Sequence, residues 1–286
     1  MMLIKEEISE LEIELVRNRS VLITSRVFKP LKVFQLKKET ACQVVFSNYG
    51  GGFVEGDKVQ LNILCGVDTK TIFSTQANTR VYKSVAGLTT SQHIKGKIGE
   101  RALTVFLGDP LVPQKDSIFE QKIEWHIQKD SVLMYVDWFE AGRILNNERF
   151  EFHSYFTEFK VLQDNIPLVW DRFKIEPSNT NINSPGAFLN HSSYLNIFLV
   201  GNENLQTIKT LEAHLRFLAS KFFQEEKPLQ LNEVELLGAV VKINESVFLV
   251  RCSARNNETL HAFVKELSIV LEDKNLLGFN PLGRKF

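Results

Sequence analysis

The sequence predicts a mainly β chain with two α-helices confined to its C-terminal third. Three observations carry that expectation. Short runs rich in Val, Ile, Leu, Phe and Thr fill the first two thirds, turn-forming residues separate them, and helical spacing of apolar residues appears only beyond residue 200.

The runs expected as strands are Val21–Thr24, Ala41–Phe46, Val59–Leu64, Lys70–Thr75, Leu103–Leu107, Val132–Phe139 and Arg149–Tyr155. In Val59–Ile63 the apolar residues fall on odd positions, the pattern of a strand with one face buried. Asn48–Gly52, Gly66–Asp68, Gly99–Glu100 and Asn146–Asn147 supply turn chemistry between runs. Further on, Ile208, Leu211, Leu215, Leu218 and Phe222 recur at helical spacing, predicting a helix over about 205–224 with Asn204 as its cap. Strands follow at Glu235–Ile243 and Val247–Arg251. A second helix is expected over about 258–271, turning Leu260, Phe263, Val264 and Leu267 inward. The polar, Pro-bounded stretch Glu176–Pro185 is the one segment that resembles a linker, at the length of an ordinary surface loop. Strand follows strand without an intervening helix until residue 205, which argues against a doubly wound α/β sheet. The chain is therefore expected as a single domain, 1–286. Its β-rich core spans about 20–200 and its helix-containing part about 201–286.

Composition narrows the function classes. Lysines and arginines number 34, as do aspartates and glutamates, so the formal net charge is zero. A general nucleic-acid or anionic-membrane binder normally carries a basic excess. Acids at Glu6 and Glu7 stand where a signal peptide would place its apolar segment, and no apolar run approaches membrane-spanning length. A cytoplasmic protein is expected. Cys42, Cys65 and Cys252 sit in apolar runs with no C-x-x-C spacing, so they read as small buried hydrophobes rather than a redox or zinc pair. Twenty-two phenylalanines are many for 286 residues, and they suggest apolar surface for docking partners.

Residue chemistry alone names no activity. The run Asn48–Asp57 holds Gly50, Gly51, Gly52 and Gly56, but lacks the spacing of a phosphate loop; a sharp turn capped by Asp57 is the plainer reading. His93, His126, His153, His191, His214 and His261 share no nucleophile or metal motif. Asp137 and Glu140 flank Trp138–Phe139, and such acids could serve a carbohydrate-active enzyme of β-solenoid or β-sandwich form, or could be surface acids at a strand end.

Several segments, in order, resemble the UreD/UreH family of urease accessory proteins. Pro30-Leu31-Lys32-Val33 is similar to the family's early x-P-L-x-V strand, and Gly50–Asp57 to its G-G-G-hydrophobic-V-G-G-D signature. Thr75-Gln76-Ala77-Asn78-Thr79-Arg80-Val81-Tyr82-Lys83-Ser84 resembles its T-Q-A-x-T/S-K-V-Y-R-S segment. Leu107–Pro113, with Pro110 and Pro113 in place and Phe119 and Gln121 after it, resembles L-P-x-P-x-I-P…F-x-Q. Asp137, Gly142-Arg143 and Glu148-Arg149-Phe150 fit the next motif; Asp164–Arg172 fits D-x-x-P-L-L-x-E/D-R. The tail 280–286 echoes the family's ending weakly. The resemblance departs at Glu55, where glycine is usual, at Arg80 in place of lysine, and at Asn147, a residue tolerant of left-handed backbone.

The resemblance implies a β-helical, solenoid-like fold with two helices and a non-enzymatic scaffold that helps insert nickel into apo-urease. It implies complexes with UreF, with the GTPase UreG through UreF, and with apo-urease, with a homodimer inside the complex. It implies no tightly bound cofactor, only transient nickel in a water-filled passage. The residues at matching passage positions are Asp57, Thr79, Asp137 and Asp171.

Overall fold

The computed structural model describes residues 7–36, 40–184, 187–223 and 234–283. Among the described residues seventeen strands form two sheets, and two helices cover one of them. The chain winds between the sheets. β4 (Cys42–Asn48), β6 (Lys70–Thr75), β9 (Leu103–Leu107) and β12 (Val132–Glu140) stack in one sheet. β5 (Lys58–Cys65), β8 (Thr90–Ile98), β11 (Ile118–Ile127) and β13 (Ser154–Gln163) stack in the other. Neighbours within each stack run parallel. Parallel strands need a crossover, and here each crossover is a strand of the opposite sheet rather than a helix. That is the solenoid-like winding the family resemblance implies.

Further strands extend the stacks, all antiparallel to the neighbour they join except the first, which runs parallel to β5. β1 (Ile8–Val16) and β2 (Arg19–Arg26) add to one edge of the second-named sheet, and β14 (Ile166–Ile175) to the other. β3 (Leu31–Leu36) pairs with β4, and β15 (Ser193–Val200), β17 (Val247–Ala254) and β16 (Leu236–Asn244) follow β12. Short β7 (Thr79–Val81) and β10 (Leu111–Pro113) pair with each other beside the winding.

Alternation sorts each strand's side chains. On β11, Phe119, Gln121, Ile123, Trp125 and Ile127 turn inward while Glu120, Lys122, Glu124 and His126 turn out. Between the sheets lies an aromatic core. Phe73, Phe106 and Tyr135 stand in register on β6, β9 and β12, and Tyr135 meets Phe159 of the opposite sheet at a 4.5 Å ring separation. Among the described phenylalanines only Phe34 and Phe217 are exposed, so the abundant phenylalanine fills this core and the docking reading of it is corrected. Buried aromatics each remove a large apolar area from water, which is why a winding without covering helices on its outer sheet holds together.

The other face of the β4–β12 sheet, carrying Ile72, Val105, Met134 and Ile197, packs under α1 (Gln206–Phe222) and α2 (Asn257–Ile269). Leu211, Leu215 and Leu218 of α1 and Leu260, Phe263 and Leu267 of α2 are all buried there. Asn256 caps α2 by accepting hydrogen bonds from the Glu258 and Thr259 N–H groups. Asn204 does not cap α1: Leu205 holds that position, and the Asn204 amide instead binds the Asn202 side chain.

The expected strand Arg149–Tyr155 is displaced: residues 149–153 are non-strand and β13 begins at Ser154. Phe150 takes φ 55°, and its ring packs with Phe152 against Phe139, while the Arg149 guanidinium binds the Leu189 and His191 carbonyls. Side-chain burial there competes with strand pairing and prevails. In the stretch Glu176–Pro185, Pro177–Asn179 forms a 3-10 turn after β14, and Pro185 lies outside the described residues. The weakly matching tail likewise ends in residues 284–286, outside the described set.

Candidate functional site

Strand pairing places Asp137 of β12, Asn196 of β15 and Arg251 of β17 side by side in one row. Asp137 lies between Tyr135 and Phe139, both in the core between the sheets, so its side chain shares that face. The row therefore looks across at the other sheet, where Asp171 of β14 forms an ion pair with Arg251. The side chains of Gln121 and Asn196 hydrogen-bond the Asp137 carboxylate. Burial pushes Asp137 up to about 6, helped by the nearby Asp171; the hydrogen bonds and Arg251 pull the other way. Burial also lifts the Tyr135 and Tyr155 hydroxyls well above the ordinary range, with Asp137 adding to it.

Two clefts converge on this carboxylate. The first, about 300 Å³, is lined by Thr75, Gln76, Ala77, Thr79, Gln121 and Asp137 among others. The second, about 510 Å³, is lined by Asp137, Asp171, Tyr194, Asn196, Ala239 and Arg251 among others. Asp137 is the one residue common to both linings. It is enclosed by protein, yet part of its surface stays open to water, because that surface faces the clefts.

Thr79 and Asp137 thus share the first cleft, and Asp137 and Asp171 the second. Asp57 lines neither. Its carboxylate accepts the Val54 N–H at 2.8 Å, closing the turn that ends the glycine run. This departs from the passage role that the resemblance implies, and the reason is local: an aspartate three residues after a free N–H satisfies it at once. Within the same run Gly50 and Gly51 take positive φ, and Gly52 passes so close to Arg80 that a Cβ would sit 2.7 Å from its carbonyl oxygen. Gly56 ends the turn, and the Tyr82 hydroxyl donates to the Gly50 carbonyl at 3.1 Å. Of this run, Gly51 and Phe53 line the first cleft.

The other motif residues also hold loops. Thr75 donates to Asp109 Oδ2 and accepts the Asp109 N–H, both at 2.7 Å. Gln76 donates its N–H to Phe46, and Thr79 donates to the Pro110 carbonyl at 3.0 Å. Pro113 closes β10, which pairs with β7. After Gly142, Arg143 forks onto Glu148 and keeps that carboxyl below its ordinary range. Asn147 takes left-handed backbone at φ 59°, as its residue type allows. Arg143 and Arg172, close in sequence to Asp137 and Asp171, are engaged by Glu148 and Glu158 instead. The actual partner, Arg251, is 80 residues from Asp171 in sequence.

Other chemistries find less. Asp137 and Glu140 lie on opposite faces of β12, since they differ by an odd number of positions. Glu140 points to the helix side, where it meets Asn257 at 3.2 Å and burial pushes it up to about 7. The two acids do not form a glycosidase pair. Among the described residues no group of three His, Cys, Asp or Glu is placed to hold a metal ion. The six histidines are dispersed; His191, for one, is tied to Ser253 and the Val234 carbonyl. The three cysteines are free and buried, and burial pushes Cys65 up to about 12, far from a reactive thiolate. Among the described residues no helix is long and apolar enough to cross a membrane.

A family profile described as UreD urease accessory protein matches residues 8–284. A urease accessory protein UreD of Cytophaga hutchinsonii is 55% identical over 273 residues, covering 96% of each chain. A UreD of Bacillus cereus is 30% identical over 200 residues, 68% of this chain and 72% of its own. A urease accessory protein UreH of Helicobacter acinonychis is 25% identical over 248 residues, 86% of each.

Proposed function

Since this chain belongs to the UreD family of urease accessory proteins, we propose that it is a non-enzymatic scaffold which conducts nickel to apo-urease through its own interior. The observation that carries the reading is the convergence of two clefts on Asp137. Nickel enters as cargo. A cation in transit needs oxygen donors strong enough to draw it from bulk water and too few to trap it. Thr79, Asp137 and Asp171 offer that: a hydroxyl and two carboxylates, spread along two clefts rather than gathered in a cage.

A carboxyl held near neutrality suits the middle position. Burial raises Asp137 to about 6, so near neutral pH it is mostly the carboxylate that a passing cation needs, and the cost of burying that charge is offset while a cation stands beside it. In this reading the chain works in the cytoplasm, bound to UreF, to UreG through UreF, and to apo-urease, with a homodimer inside the assembly. It turns over no substrate of its own.

The test is urease activation in cells carrying Asp137→Ala, Asp171→Ala or Thr79→Val, with capture of UreF and urease measured alongside. The expected result is loss of urease activity and nickel content in the aspartate variants, and a smaller loss for Thr79→Val, with complexes intact. Loss of complexes in step with activity would mark these residues as structural. Full activity in both aspartate variants would end the passage reading.

A further inference from the structure

The second cleft holds a fixed positive charge. Arg251 and Asp171 both line it, and their ion pair joins one sheet to the other beside Asp137. The cleft lining therefore holds two aspartates and two arginines; Arg172 is engaged by Glu158, which leaves Arg251 as the guanidinium paired with Asp171, and Asp137 feels both partners of that pair. The pair is also accessible. The Arg251 side chain is 51% exposed and that of Asp171 25%. Half-exposed pairs of this kind are weak and easily exchanged, because water screens them and the long arginine gains freedom on leaving.

We propose that Arg251 is a tethered counter-cation that sets the charge selectivity of this cleft: it occupies Asp171 at rest and yields only to a divalent cation. The proposal rests on the passage reading and deepens it. A monovalent ion brings the same single charge as the guanidinium but lacks its fixed position and its directed hydrogen bonds, so it does not win Asp171. A divalent ion doubles the Coulomb attraction to Asp171 and meets a second carboxylate, Asp137, in the same cleft. Once the ion moves on, the guanidinium returns from its neighbouring strand without diffusion. No bond is made or broken beyond this exchange of ion pairs. The same device lets two acids face one cleft while the resident charge competes with the cargo for them.

The experiment is equilibrium dialysis of Ni2+ against the full chain, with and without excess K+, for wild type, Arg251→Gln, Arg251→Lys and the double variant Arg251→Gln/Asp171→Asn. Removing the competitor is expected to tighten Ni2+ retention roughly tenfold in Arg251→Gln, given the worth of one half-exposed charge against a doubly charged ion. Excess K+ should weaken Ni2+ retention in Arg251→Gln and leave wild type unchanged. The double variant should lose the gain. Arg251→Lys keeps a charge but not the fork, so it should fall between wild type and Arg251→Gln; it also serves if Arg251→Gln does not fold. Equal Ni2+ retention in wild type and the single variants would overturn the proposal, and would leave the passage reading standing if Asp137→Ala still prevents urease loading. A tenfold gain in Arg251→Gln, with normal urease loading by Asp137→Ala, would uphold the competition while removing the passage reading.

Discussion

Replacing Asp137 by asparagine is expected to stabilise the folded chain at pH 7.5, although it removes two hydrogen-bonding partners' preferred charge. Burial holds the carboxyl at about 6, against an ordinary value of 3.8. The native state thus binds more protons than the unfolded chain between those pH values. Its stability is full below the unfolded pKa and falls as pH rises through the folded one. At 1.36 kcal/mol per pH unit, the difference from 3.8 to about 6 amounts to about 3 kcal/mol of stability lost by pH 7.5. Asparagine carries no charge and can still bond Gln121 and Asn196. The assay is urea denaturation of both proteins at pH 4 and pH 7.5. Glu140 and Glu158 also titrate, so the informative quantity is the difference between variant and wild type. That difference should be near zero at pH 4 and favour the variant by about 2–3 kcal/mol at pH 7.5. In melting temperature this is on the order of 5 °C for a chain of this size. A variant equally or less stable than wild type at pH 7.5 would refute the claim that this acid is kept at a cost in stability.

Three other perturbations have defined outcomes. Gly96→Ala puts a methyl 2.0 Å from the Trp125 ring, and with that indole fully buried the overpacking should cost about 3 kcal/mol or more in urea denaturation. Burial raises Glu158, but hydrogen bonds from Trp170, Lys160 and Arg172 outweigh it and hold the carboxyl at about 2. Its contribution is therefore present above pH 4.5 and lost as pH falls through 2, so Glu158→Gln should destabilise at pH 7 and match wild type near pH 2. Asp57→Ala should cost about 1 kcal/mol by freeing the Val54 N–H, while urease reaches its wild-type nickel content; a selective loss of nickel would restore Asp57 to the passage.

Much of the winding was legible in the sequence where apolar residues were dense. Val132–Phe139 and Leu103–Leu107 are buried on both faces, and both read plainly as strands. β1, β8, β11, β14 and β15 were not among the expected strands. Four of them carry Lys, Glu, Arg or His on the outward positions of one sheet's exposed face, which dilutes the apolar signal although strict alternation is present on β11. The helices were legible through their spacing; the α1 cap was not, because Asn204 turned to Asn202. At the site, Thr79, Asp137 and Asp171 came from motif resemblance. Arg251 and Asn196 did not, because only the register of β12, β15 and β17 sets them beside Asp137. Arg251 does close an expected strand run, yet nothing in that run points to Asp171.

Nickel transit through the two clefts is tested most directly by blocking one mouth. Ala239 is exposed and lines the second cleft, so Ala239→Trp fills the opening without disturbing the core. The measurement is nickel bound per urease, by elemental mass spectrometry, after urease is purified from cells expressing the variant. Capture of UreF and urease by that variant is recorded in the same preparation. Passage through the interior requires that nickel in urease fall to the level seen without the accessory chain, while the complex forms as in wild type. Wild-type nickel content with the mouth filled and the complex intact would contradict it.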